Sequence, residues 1–147
     1  MSIEKIKKLR EETGISVGEC RKALEEAQGD LEKAKEILKK RGQDFAKKRL
    51  EREAGQGIIE SYIHTGKKVG AMIELRCESD FVARSADFQK LAHEICLQIT
   101  AISPDEIPLL EQPWIKDESK TIKELIEEYI GKLGENIILK NFVRYQI

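Results

Sequence analysis

The sequence predicts an α+β protein: a small three-helix bundle followed by a three-stranded antiparallel sheet packed with helices. Three observations lead there. Residues 2–41 hold three short runs of helical period separated by glycine-containing breaks. Residues 68–77 alternate apolar and polar side chains, as a half-buried strand does. Residues 88–99 and 119–131 return to helical period before a last strand-like run, ENIILKNFVRY, at 135–145.

The elements follow in order. The first helix puts Ile3, Ile6 and Leu9 on one face and stops at Thr13-Gly14, where glycine takes the left-handed cap conformation. The second opens with the capping box Ser16-Val17-Gly18-Glu19, in which hydroxyl and carboxylate each satisfy an orphan backbone donor. Its apolar stripe is Val17, Cys20, Leu24 and Ala27, and Gln28-Gly29 ends it. Asp30 is placed to cap the third helix, which turns Leu31, Ala34, Ile37 and Leu38 inward before Gly42. So small a bundle is marginal alone and reads as a docking module. Residues 43–56 read as a basic helical linker and residues 57–147 as the α+β core.

In the core, residues 58–64 read as a strand and Thr65-Gly66-Lys67 as a tight turn. The next strand sets Val69, Ala71, Ile73, Leu75 and Cys77 on one face, with Met72, Glu74 and Arg76 on the other. Phe88, Leu91, Ala92, Ile95, Cys96 and Ile99 form one helical stripe. Prolines 104, 108 and 113 break the following stretch. Ile122, Leu125, Ile126, Tyr129 and Ile130 form a second stripe, with Gly131 and Gly134 at its exit. The order is β-β-α-α-β.

Composition narrows the function. Of 147 residues, 40% are apolar and 36% charged, which allows a modest core and a wide solvated or partner-facing surface. Residues 1–53 carry 15 Lys and Arg against 12 Asp and Glu, and residues 54–147 carry 11 against 15. The basic excess lies in KKRGQDFAKKRLER, and such a run reads first as a solvated helix face or linker. Cys20, Cys77 and Cys96 are odd in number and far apart, which predicts reduced thiols and no zinc site. No stretch approaches the ~20 apolar residues of a membrane span, so a soluble cytoplasmic protein is expected.

Enzyme signals are weak. No P-loop motif is present, so direct nucleotide binding is not expected. Gly55-Gln56-Gly57 lacks a third glycine and leads into a strand. His64 and His93 lack metal-ligand spacing; they read as a turn residue and a surface residue. Neither a cofactor nor a metal is expected.

The stretch CESDFVARSADF, residues 77–88, carries the sharp signal. It joins the second strand to the first core helix. Phe81 has two readings. A helix unbroken from Ser79 would put it seven residues before Phe88, on the same face and in the core. A helix starting at Ser85 would leave 79–84 as a separate turn and Phe81 free to point outward. Periodicity does not choose between them.

The same stretch resembles the C-E-T-D-F-V-A-R-N signature of the elongation factor Ts family, nucleotide-exchange factors of the translation GTPase elongation factor Tu. ECRKALEEAQGDLEKAKEILKKRG resembles the family's ubiquitin-associated-like N-terminal module. EAGQGIIESYIHTGKKVGAMIEL resembles its first hairpin, and GKLGENIILKNFVRY a later strand. Ser79 and Ser85 stand where the family has threonine and asparagine. The resemblance implies that Ser79, Asp80, Phe81, Val82, Ala83 and Arg84 form the exchange motif. Phe81 would wedge into an apolar gap of the GTPase, and Asp80 would disturb the groups holding its Mg²⁺. Longer members carry a second core subdomain and a coiled coil, so resemblance to the short members implies a homodimer. It places the protein in the bacterial cytosol or an organelle.

A second contact is needed on energetic grounds. Driving a nucleotide from mostly bound to mostly released takes about 10⁴-fold, or ~5.5 kcal/mol, while burying one Phe gives only ~1.5–3 kcal/mol. The turn from Ile15 to Cys20 is the candidate second grip, with Ile15, Val17 and Cys20 as its residues; packing within the bundle is the other reading of these side chains. Two other functions compete. A ubiquitin-associated-like adaptor would explain residues 1–42 but leave the SDFVAR junction unused. An RNA-binding protein would use the basic linker, but the second half is acidic and aromatics are only 5%.

Overall fold

The computed structural model describes residues 2–49 and 52–147. Helix α1 (Ile3–Thr13) ends at Gly14, whose φ of 70° lets its N–H donate back to the Arg10 carbonyl. Helix α2 (Val17–Glu26) is capped by Ser16, whose Oγ accepts from the Glu19 N–H at 3.3 Å. The Glu19 carboxylate, expected to close the other half of a capping box, instead pairs with Lys22 at 3.3 Å and Arg41 at 3.2 Å. Leu9, Cys20, Ala23, Leu24, Ala34 and Leu38 form the bundle's core. Ile3 is exposed, and Val17 projects from the stripe expected to bury it.

Helix α3 (Leu31–Arg49) starts at Asp30, whose Oδ1 accepts from the Glu32 and Lys33 N–H groups at 3.0 and 3.1 Å. It does not stop at Gly42 as the sequence reading expects. The third helix and the start of the expected linker are one element. Glycine costs only about 1 kcal/mol inside a helix, and here α3 lies along helix α6 (Ile122–Leu133), which supports it. Residues 50–51 of the expected linker lie outside the described residues.

Strands β1 (Gln56–Ile63) and β2 (Val69–Cys77) form the expected hairpin. Strand β5 (Ile137–Gln146) pairs with the other side of β2, so the antiparallel order is β1-β2-β5, with a register shift between Glu74 and Leu75. Ala71, Ile73, Leu75 and Cys77 face inward, against helix α5 (Ala86–Ala101). Phe88, Leu91, Ile95 and Ile99 of α5 and Ile122, Leu125 and Ile130 of α6 complete this core. Among the described residues no layer covers the opposite sheet face. Ile59, Ile63, Met72, Ile138 and Tyr145 are exposed there.

The proline-broken stretch is more ordered than the sequence predicts. A 3-10 turn (Leu109–Glu111) leads to a small hairpin of β3 (Pro113–Trp114) and β4 (Asp117–Thr121). Two fully buried amides hold it to α5. Gln98 Nε2 donates to Gln112 Oε1 at 2.9 Å, and Gln98 Oε1 accepts from the Ile115 N–H at 2.9 Å. Strand pairing ends where α6 begins, because the Thr121 hydroxyl caps it by accepting from the Glu124 N–H at 3.2 Å. The helix therefore starts at Ile122 rather than 119. It runs through Gly131 and closes at Gly134, φ 76°.

Candidate partner-binding site

Between β2 and α5 the chain makes a four-residue helix, α4 (Asp80–Ala83). Four residues cannot sustain a helix by themselves, since the first turn fixes many dihedrals for few hydrogen bonds. Two caps define it. The Ser79 Oγ accepts from the Val82 N–H at 3.2 Å, and the Ser85 Oγ both donates to the Val82 carbonyl at 2.7 Å and accepts from the Phe88 N–H at 3.2 Å. Ser85 therefore ends one helix and begins the next. Of the two readings of Phe81, the outward one holds.

The turn divides its side chains by role. Val82 and Ala83 are buried in the core and fix the turn from beneath. Phe81 is 86% exposed. Asp80 and Arg84 are also at the surface and pair with each other, Nε to Oδ2 at 2.8 Å. An exposed benzyl group thus stands on a fixed turn, beside a carboxylate and a guanidinium.

Below the turn, the Cys77 thiol donates to the Ser79 carbonyl at 3.2 Å. Burial, helped by the negative Glu135 nearby, pushes that thiol up to about 11, so it stays a protonated donor at neutral pH.

A residue that the sequence reading does not single out completes the site. Glu135 follows Gly134 at the start of the β5 approach. Its Oε1 accepts from the Glu78 and Ser79 N–H groups at 3.1 and 2.9 Å, and its Oε2 from the Ser79 hydroxyl at 2.6 Å. In return the Asn136 N–H donates to Glu78 Oε1 at 2.8 Å. The two junctions are laced together across 56 residues of sequence. No local pattern announces such a pairing.

The N-terminal candidates separate. Val17 is 49% exposed, and Ile15 is partly buried against the bundle core. Cys20 is fully buried; its thiol donates to the Ile15 carbonyl at 3.6 Å. It is placed to shape the turn, and its burial keeps it from the surface. The bundle meets the core along α3 and α6, joined by Lys39 and Glu124 at 2.6 Å. A groove of about 510 Å³ lies there, lined by Lys35, Lys39, Gln43, Lys120 and Glu127 among others.

The histidines stand apart from the turn. His64 Nδ1 lies 3.0 Å from the Tyr62 hydroxyl, and His93 is exposed beside the Tyr62 ring. Cys96 is buried, and that burial pushes its thiol up to about 12. Among the described residues no group of His, Cys, Asp and Glu could hold a metal ion, and no helix is long and apolar enough to cross a membrane.

Comparison with known proteins agrees with the motif. The sequence profile of the family described as Elongation factor TS matches residues 4–107 and 78–147. The elongation factor Ts of Coprothermobacter proteolyticus is 40% identical over 193 aligned positions, covering 100% of this chain and 98% of the relative. Those of Methylacidiphilum infernorum and Thermosipho melanesiensis are each 37% identical, covering 100% of this chain and 95% and 98% of themselves. An alignment of 193 positions to a chain of 147 residues means that the first relative carries internal segments this chain lacks.

Proposed function

The chain belongs to the elongation factor Ts family of translation elongation factors, and from that premise we propose that it binds elongation factor Tu carrying GDP and promotes release of the nucleotide. The observation that carries this reading is the outward Phe81 on a turn fixed from beneath. A wedge must keep its shape while it is pushed into a partner, and a preorganised side chain loses little freedom on binding.

The mechanism needs no covalent step on this chain. Phe81 enters an apolar gap of the GTPase's nucleotide-binding domain, gaining about 1.5–3 kcal/mol as it leaves water. Asp80 is held by Arg84 in an exposed i,i+4 pair. Such pairs hold on the order of 0.3–0.5 kcal/mol, so Asp80 changes partners at small cost. Its carboxylate then competes for the groups that hold the partner's Mg²⁺, and with the ion displaced the diphosphate charge is poorly neutralised. Binding of factor and binding of GDP weaken each other by the same ratio. One phenyl ring does not cover that coupling, which is why a second contact at Val17 and Ile15 belongs to the proposal.

The chain is further proposed to act as a homodimer in the cytosol. The uncovered apolar sheet face supports this, since a patch of Ile59, Ile63, Met72 and Tyr145 left in water is a surface for association. One three-helix module and one exchange turn per chain would then give two copies of each.

The test is stopped-flow release of a fluorescent GDP analogue from elongation factor Tu, with wild type and Phe81→Ala. Strong acceleration by wild type and little by the folded variant is expected. Acceleration unchanged by the substitution would remove Phe81 from the mechanism; no acceleration by wild type at any concentration would sink the exchange reading.

A further inference from the structure

We propose that Glu135 is the positioning residue of the exchange turn, acting on Phe81 through the Ser79 hydroxyl; its role in exchange rests on the proposed function above, while its role in ordering the turn does not. The chemistry of one hydroxyl carries the argument. A serine hydroxyl has a single proton and two lone pairs. At Ser79 that proton goes to Glu135 Oε2 at 2.6 Å, which leaves a lone pair for the Val82 N–H at 3.2 Å. Glu135 therefore decides which way the cap points.

The same carboxylate collects the two backbone N–H groups that lead into the turn, those of Glu78 and Ser79. Three donors converge on one acceptor-only group. Such charge-assisted bonds are stronger than neutral ones, and the 2.6 Å contact falls in their range. The cap it sets fixes α4, whose second residue is Phe81. The phenyl ring itself is mostly exposed and gains little from neighbours, so its direction is inherited from this backbone.

Glutamine is the discriminating substitute. Its volume matches, but it has one acceptor oxygen and an NH₂ group that only donates. Facing three donors, the amide introduced by Glu135→Gln must point its NH₂ at a backbone N–H or at the Ser79 hydroxyl. In the second case the hydroxyl accepts there, keeps the Val82 N–H only on its other lone pair, and turns its proton away from residue 135. Either way the short charge-assisted bond that orients the Ser79 hydroxyl is lost, and the turn loosens without a cavity.

The experiment has a partner-free arm and an exchange arm. In the free protein, amide hydrogen exchange by NMR compares wild type with Glu135→Gln and Glu135→Asp. We expect the Val82 amide to lose protection by about tenfold to a hundredfold, the loss of one bond to a charged group, while the Ile73 amide in the central strand keeps its own. Unchanged protection at Val82 would overturn the proposal, and so would an equal loss at Ile73, which would make Glu135 a general fold residue. If Glu135→Gln does not fold, Glu135→Asp and Ser79→Ala carry the same comparison.

In the exchange arm, Glu135→Gln should slow GDP release by a similar factor in the wild-type background and add nothing further in Phe81→Ala, because both act through one ring. Full additivity would overturn the relay. Failure of wild type to accelerate release would remove the exchange reading alone; protection at Val82 would still decide whether Glu135 orders the turn.

Discussion

Lys39 Nζ lies 2.6 Å from Glu124 Oε2, an ion pair that joins the middle of α3 to the first turn of α6. Each group shifts the other. The hydrogen bond with Lys39 lowers the Glu124 carboxyl below its ordinary 4.5, and the bond with Glu124 raises Lys39 above 10.5. The lowered carboxyl contributes stability that is present above pH 4.5 and lost as pH falls through its folded value. The raised amine contributes stability that is present below pH 10.5 and lost as pH rises through its folded value. A double-mutant cycle with Lys39→Met and Glu124→Gln should give a coupling of about 0.2–1 kcal/mol at pH 7, since the lysine is half exposed. Chemical denaturation should show this coupling shrinking below pH 4.5 and at high salt. A coupling independent of both would mean that the pair does not hold the two parts together.

Phe81 and Phe88 stand seven residues apart in opposite environments, one 86% exposed and the other fully buried. Phe88→Ala should cost about 3–5 kcal/mol, through lost transfer energy and the cavity left behind. Phe81→Ala should leave stability within about 0.5 kcal/mol, the usual range for an exposed side chain. Thermal unfolding of both variants measures the contrast. A large loss from Phe81→Ala would return that ring to the core.

Two glycines should respond to alanine with opposite signs. Gly42 lies inside α3, and among the described residues nothing lies within 4 Å of where its Cβ would stand. Gly42→Ala should therefore stabilise by about 0.5–1 kcal/mol through helix propensity. Gly57 has φ 153°, and a Cβ there would meet the Leu75 carbonyl oxygen at 2.1 Å. Gly57→Ala should destabilise on the order of 3 kcal/mol, because β1 must move off β2. Urea midpoints of the two variants provide the test.

The uncovered sheet face gives a prediction for assembly. Met72 lies in the central strand and points away from the core. Met72→Glu would place a charge from each copy in the proposed interface, where a desolvated, unpaired carboxylate is costly. Sedimentation equilibrium should find wild type dimeric and Met72→Glu monomeric at the same concentration, with unchanged circular dichroism. A monomeric wild type would remove the homodimer.

The signals legible in the sequence are local. The alternation from Val69 to Cys77, the helical stripe from Phe88 to Ile99 and the caps at Ser16, Asp30 and Ser85 fix elements through neighbours a few residues apart. Those signals also supplied both readings of Phe81. The tertiary structure decided between them, because the direction of Phe81 depends on Val82 and Ala83 finding the core and on Ser79 finding Glu135, 56 residues away. It likewise carried α3 past Gly42 against α6, buried Cys20 and exposed Val17, and folded the proline-rich stretch into a hairpin on Gln98 and Gln112. Periodicity records which face of an element is apolar. It does not record which distant donor meets which acceptor, and hydrogen bonds of that kind set the geometry of the turn that carries Phe81.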